Sequence, residues 1–365
     1  MGIFSRKPLI VEAQAAPQVM GENLPSLYNS IALRVSRKDA MSVPSVARAR
    51  NLICGTVASI PLEYYNKKTG EVIAPPRWIN QLSKNQPSFV TLNWMVDSLL
   101  FYGNCYLRVV ERYQEDGRPS AFEWIANSRV TFTTDLEGIM ITQYYVDANP
   151  ISMNDIVTIQ GLDEGVLERA GRTIQSAIDI NKAAAISSAT PMSSGILKNM
   201  GADLPPAEVS GLLAAWKRSR QNNSTAYLTS TLEYQPTQFS PKEMMYAEAI
   251  QGLSTELARA MNVPAYLLSS EMNQSMTYSN IQDERKQFYA MSIEPYIQAI
   301  QSRLSMDDIS TAGHEVRFAV FDTFLKQDPM TELAVIEKLL SLGLITTEQA
   351  MEMTDLSPNG SEGMS

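Results

Sequence analysis

The chain has 365 residues, 44% of them hydrophobic and 19% charged, enough for two or three domains around a sizeable core. Its formal charge of −9, from 30 basic and 39 acidic residues, argues against a groove that grips nucleic acid, though not against a surface that DNA passes without sticking. A membrane span is excluded as well, since no window reaches about 18 consecutive apolar residues. The two cysteines, Cys54 and Cys105, lie far apart with no CxxC spacing, and read as reduced, buried thiols.

Residues 1–43 mix Pro, Ala, Gln and Ser without period and read as a flexible N-terminal arm. A helix follows over 44–60. Pro44 suits its first turn, and Val46, Ala49, Ile53, Val57 and Ile60 share one face. Leu62–Tyr65 and Val72–Ala74 flank Lys-Lys-Thr-Gly as a hairpin. Leu92, Met95, Val96, Leu99 and Leu100 predict a second amphipathic helix, ended by Gly103. Short strands are expected over Tyr106–Val110, Phe122–Ile125, Val130–Thr133, Ile139–Val146 and Ile156–Ile159, separated by Asp116-Gly117, Asn127-Ser128 and Glu137-Gly138. Runs of strands with two helices make the class α+β.

From Gly171 the texture changes. A helix rich in small residues (Ala177, Ala183, Ala184, Ala185, Ser187, Ser188, Ala189) is suited to close approach by another helix, and Pro191 ends it. Residues 195–240 read as a small insertion: a strand at Ile196-Leu197, a helix from Pro205 to Arg220, then strands Ala226–Thr229 and Leu232–Tyr234. The helix that follows starts at Ser240-Pro241-Lys242-Glu243, a capping pattern, and carries Tyr246, Ile250, Leu253, Leu257 and Met261 on one stripe. Pro264 stops it by pushing Val263 out of the α region. A polar loop leads to a longer helix with the stripe Ile281, Phe288, Ile293, Ile297, Ile300 and Leu304, and Pro295 predicts a kink. Beyond it lie a strand in "EVRFAVFDTFLKQDP" and two short helices split at Gly343, the second opened by a Thr346–Gln349 capping box.

Chemistry is scarce. Gly165-Val-Leu-Glu-Arg-Ala-Gly171-Arg172-Thr173 sits between strand and helix, as a phosphate loop would. Yet five residues separate its glycines instead of four, Arg172 replaces the lysine, and Glu164 and Glu168 would repel phosphate. His314, the single histidine, lies near Asp307, Asp308 and Glu315 and reads as a solvated loop residue. HExxH, GxSxG and paired CxxC motifs are missing from the sequence. No metal, cofactor or catalytic residue is expected.

"ELARAMNVPAYLL", a polar loop, and "SNIQDERKQFYAMSIEPYIQAI" together resemble the core of portal proteins of long-tailed, siphovirus-type bacteriophages. In the same order, "ARARNLICGTVASIPLEYYN" and "FYGNCYLRVVER" look like that family's first helix and its "GNAY" junction, with Cys105 in place of Ala. The resemblance implies a portal-type α+β subunit: a β-rich wing (44–170), stem helices at 171–194 and 241–263, an α/β clip (195–240), a channel loop (264–280), a long kinked helix (281–304) and a helical crown (305–365). It implies a homo-oligomeric ring, usually dodecameric, at one capsid vertex of the virion, assembled in the host bacterial cytoplasm. Double-stranded DNA would pass through it without sequence readout. Large terminase subunit, major capsid or scaffolding protein and head–tail connector would be partners, and ATP hydrolysis would belong to the terminase.

On this layout Ser269, Ser270, Glu271, Asn273, Gln274, Ser275, Met276 and Thr277 line the channel. Trp216, Lys217, Arg218 and Arg220 on the clip meet partners. Ala177, Ala184, Ser188, Ile250, Leu253 and Leu257 form the contact between stems. Two other readings stand beside it: a nucleotide-binding enzyme using the degenerate loop near Gly165–Thr173, and a non-viral ring-forming scaffold.

Overall fold

In the protein's structure, a computed structural model, residues 9–11, 35–135, 140–189, 195–201, 204–221, 230–236, 246–268, 278–320, 323–325 and 329–353 are described. The first unit contains β1 (Leu9–Val11), α1 (Arg37–Ala40), α2 (Pro44–Ser59), β2 (Leu62–Asn66), α3 (Arg77–Asn80) and α4 (Ser88–Tyr102). It continues with β3 (Asn104–Arg112), β4 (Pro119–Ile125), β5 (Val130–Thr134), β6 (Ile141–Val146), β7 (Asn149–Ile151) and β8 (Ile156–Gln160). Helix α2 packs across α4, and every predicted apolar position of both is buried. Gly103 ends α4 in the left-handed region, φ +69.

The strands form two antiparallel sheets, ordered β4-β3-β8 and β1-β5-β6-β7. Tyr106 on β3 faces Ile125 on one side and Thr158 on the other. Tyr106, Ile125, Val130, Phe132, Tyr144 and Ile156 close a small core between the sheets. Two pieces of the segment expected to be a loose arm are ordered: β1 pairs with β5, and α1 is capped by Ser36 Oγ, which accepts from Asp39 N. The expected 62–74 hairpin forms as a short turn: Tyr65 bridges Val72, Ile73 N–H reaches Tyr64 O at 2.9 Å and Asn66 N–H reaches Glu71 O at 3.0 Å. The main partner of β2 is instead a strand at His314–Phe318.

The second unit begins with α5 (Val166–Arg169) and α6 (Gly171–Ala189). An inserted unit follows: β9 (Gly195–Asn199), α7 (Pro206–Gln221) and β10 (Leu232–Pro236), with the strands paired antiparallel. Helix α8 (Tyr246–Ala260) returns along α6. The expected start at Ser240–Glu243 and the strand Ala226–Thr229 lie outside the described residues. Burial along the α8 stripe is graded: Tyr246, Ile250 and Leu253 are half-buried, Leu257 and Met261 fully buried. The helix pair therefore leaves the core at its 257–261 end. Asn262, at φ +52, closes α8: Val263 N–H reaches Ala258 O at 2.9 Å and Asn262 N–H reaches Arg259 O at 3.2 Å. The helix thus ends before Pro264 acts.

The long helix is α9 (Tyr278–Phe288), a π turn over Tyr289–Ile293, and α10 (Glu294–Leu304). Sequence reasoning places the irregularity at Pro295. It lies just before it, because Pro295 supplies no N–H and the wider turn absorbs the break. The stripe carries the same signal: Phe288 and Ile293 are five apart, yet both are buried. After α10 come β11 (His314–Phe318), α11 (Pro329–Ser341) and α12 (Thr347–Met353). The predicted capping box forms both ways: Thr346 N–H donates to Gln349 Oε1 at 2.9 Å, and Gln349 N–H to Thr346 Oγ1 at 3.2 Å.

Candidate functional site

Both helices of the α6–α8 pair are rooted in one backbone knot. The Gly161 N–H donates to Gly103 O at 2.7 Å. A Cβ on Gly103 would stand 2.2 Å from Asp163 O, and one on Gly165 would stand 2.6 Å from Phe101 O. Both glycines have positive φ, so the end of α4 and the entry to α5 pass at a distance only glycine allows. Asp163 Oδ1 accepts the Gly165 N–H at 2.9 Å, and its carboxylate pairs with Arg169. Arg169 Nη2 also donates to Ala260 O at 2.5 Å, a cation at the C-terminal end of α8. Buried Ser292, in the π turn, donates its hydroxyl to Asn262 O. The long helix, α8 and the entry to α6 thus meet within a few residues.

This geometry bears on the phosphate-loop reading. The Gly165 amide, which would have to face an anion, is already taken by a carboxylate. Leu99, Leu162, Asp163, Asn262, Met291, Ser292, Pro295 and Tyr296 enclose a cavity of about 20 Å³ beside it, room for one water at most. Burial, with the Asp163 charge second, pushes the Tyr296 phenol up, so it stays neutral. A larger groove of about 810 Å³ is open and of mixed charge, with Lys67 and Arg317 facing Asp307, Asp308 and Glu315. His314 is not a solvated loop residue. It starts β11 half-buried, its ring stacked on Tyr64 at 5.3 Å, because β11 is drawn against β2. Among the described residues no group of His, Cys, Asp and Glu has a metal-binding arrangement.

The residues expected to carry function fall into three groups. Ser269, Ser270, Glu271, Asn273, Gln274, Ser275, Met276 and Thr277 lie outside the described residues. Described chain resumes on either side, at the Ala265–Leu267 turn, where Arg48 Nε donates to Leu267 O at 3.4 Å, and at α9. On α7, Trp216 is half-buried and Arg218 exposed, while the side chains of Lys217 and Arg220 are not among those described. In the helix pair, Ala177 and Leu257 are buried within the chain's own core. Within one chain α6 already runs along α8. Ala184, Ile250 and Leu253 are half-buried, and the Ser188 side chain is not described.

Sequence reasoning missed Asp97, a buried acid on an otherwise apolar helix. It is paired by Arg37 from α1 and Arg50 from α2, and both guanidiniums lie over the Trp94 ring. A lone Asp inside an apolar stripe was the available signal, since a buried carboxylate needs a cation.

The sequence pattern of the family described as "Phage portal protein" matches residues 44–355. This chain belongs to that family. Portal proteins it is similar to include the probable portal protein of Streptomyces phage phiC31, 21% identical over 92% of this chain and 80% of the relative. Among solved structures, the HK97 family phage portal protein from Corynebacterium diphtheriae superposes with a TM-score of 0.65 at 22% identity, covering 80% of this chain and 98% of that one. A chain in the neck of a native gene transfer agent particle, computed with C12 symmetry, gives 0.56 at 19% identity, covering 89% of this chain and 95% of its own. The α+β portal fold expected from the sequence is the fold the chain adopts.

Proposed function

We propose that this phage portal protein works as one subunit of a closed homo-oligomeric ring at a capsid vertex of the virion, through which double-stranded DNA is packaged and ejected. The observation that carries this is the family match across residues 44–355, with the portal fold shared over nearly the whole of the Corynebacterium chain. The particle neck computed with C12 symmetry supports a ring. Residues 44–170 are read as the wing, α6 and α8 as the stem, 195–240 as the clip, 264–280 as the channel loop and 305–365 as the crown. The clip, with Trp216, Lys217, Arg218 and Arg220, is read as the docking place of the large terminase subunit and then the head–tail connector. Capsid or scaffolding protein is read as the wing's partner. Assembly is assigned to the host cytoplasm. Among the described residues no helix is long and apolar enough to cross a membrane.

The role is read as structural, with nucleotide hydrolysis left to the motor. The support is local: the candidate phosphate loop turns its Gly165 amide onto Asp163. Negative-stain microscopy of the purified chain tests the ring. Annular particles with a central hole are expected. A compact monomer at all concentrations would sink the reading.

A further inference from the structure

Helix α11 is apolar on two opposed sides. At about 100° per residue, Leu333 and Leu340 fall on one line, and Val335 and Leu342 on a line nearly opposite. Leu342 lies just past the helix, yet its N–H still reaches Lys338 O at 3.0 Å, so the same count holds. Of the two remaining arcs, one carries Ile336, buried, and Leu339, half-buried. The other carries Ala334, Glu337, Lys338 and Ser341, all exposed. One arc is therefore covered and one is wet, and the two flanks between them are apolar and bare: Leu333 46%, Leu340 41%, Val335 48% and Leu342 61% exposed.

The helix is not loosely formed. Gly343, at φ +68, closes it, with Leu344 N–H on Leu339 O and Gly343 N–H on Leu340 O, both at 3.1 Å. Helix α12 then starts from its own capping box and packs against α11. A helix apolar on most of its circumference belongs in a core, and the described residues of one copy cover only one arc of this one.

We propose that α11 sits between the α11 helices of two neighbouring copies, the Leu333/Leu340 flank of one against the Val335/Leu342 flank of the next. This rests on the ring reading above. A single apolar flank would suit a two-fold dimer. A closed ring joins unlike faces, so each subunit must offer two different patches, one to each hand. The four arcs of α11 match that need: two flanks for neighbours, one arc already covered, one for water.

The test uses the full chain with cysteines placed on both flanks, Leu333→Cys with Val335→Cys, and a short bis-maleimide. The natural thiols, Cys54 and Cys105, are buried and do not compete. In the assembled state the double variant is expected to give a ladder of crosslinked multimers on a denaturing gel. Each single variant is expected to stay monomeric on that gel, because its one thiol faces a flank without any. Strong dimers from either single variant would show like flanks meeting, and overturn the proposal. So would a double variant that scatters light as a ring yet gives no ladder. A parent chain that scatters as a monomer would remove the ring and this contact together, and scattering distinguishes that failure from loss of the contact alone.

Discussion

The guanidinium of Arg37 lies along both oxygens of the Asp97 carboxylate, with Nε 2.7 Å from Oδ2 and Nη2 2.8 Å from Oδ1. Arg50 adds a third hydrogen bond, Nε to Oδ1 at 2.6 Å. The hydrogen bond to Asp97 raises the Arg37 pKa, so the guanidinium keeps its charge. Asp97→Ala leaves two partly buried cations facing each other and is expected to cost about 3–5 kcal/mol. The measurement is the urea midpoint at constant slope. Arg37→Ala should cost less, because Arg50 still satisfies the acid. A loss under about 1 kcal/mol for Asp97→Ala would show solvent screening there to be as strong as at the surface.

Gly103→Ala is expected to cost more than a helix-end glycine normally does. The left-handed φ alone costs about 1–2 kcal/mol, and the new Cβ would also drive into the Asp163 carbonyl. The melting temperature should fall by roughly 5 °C or more. Gly117→Ala is the control: its φ is +71, but a Cβ there meets nothing within 4 Å. Equal losses for both would mean that the close approach contributes nothing.

Arg169→Ala should loosen the last turn of α8 without unfolding the α2–α4 core. Losing the cation at Ala260 O is worth about 1 kcal/mol of local opening. Hydrogen exchange of the amides near 258–263 should speed up roughly fivefold while α2 and α4 keep their protection. Arg169→Lys should recover part of this, since an ammonium cannot hold Asp163 and the carbonyl in one planar fork.

Burial raises the Cys54 and Cys105 thiol pKa values far above the ordinary range. A thiol reagent at pH 8 is expected to label neither in the folded chain and both in denaturant. The sign of the linked pH effect follows. Above about pH 8.5 the unfolded chain loses these protons while the folded chain keeps them, so stability falls as pH rises. Stability that is flat or rising from pH 8 to 10 would contradict this.

The segment 268–279 holds no Lys or Arg, and Glu271 repels phosphate. Changing Glu271, Asn273 and Gln274 together to Lys should leave rings intact and slow packaging or ejection, with the defect shrinking as salt rises. Normal packaging at low salt would rule out the channel position proposed for this stretch.

Local chemistry was readable in the sequence wherever one residue decides the outcome. Gly103 and Gly343 close helices, Thr346 and Gln349 cap one, and the stripes of α2 and α4, with the 257–261 end of α8, point inward as their spacing says. Long-range pairing was not readable. Nothing near Leu62 announces that β2 will pair with a strand far along the chain, and nothing in the arm announces that Arg37 will meet Asp97. Leu257 on its stripe looks the same whether its own chain or a neighbour covers it. The root of the α6–α8 pair was hidden differently. Its glycines resemble a phosphate loop, and only the position of Asp163 shows that the backbone fills the space itself.

The π turn at Tyr289–Ile293 has a directional consequence. One wide turn advances the chain without completing the usual rotation, so it works as a fixed angular offset between α9 and α10. Helix α10 is locked to the core by Ile297, Ile300 and Leu304, all buried. The compass bearing of α9 is therefore set downstream of it. Deleting Ala290 alone would leave both helices intact and swing that bearing by about a quarter-turn or more. The aim of a segment can thus be changed without touching any residue in it.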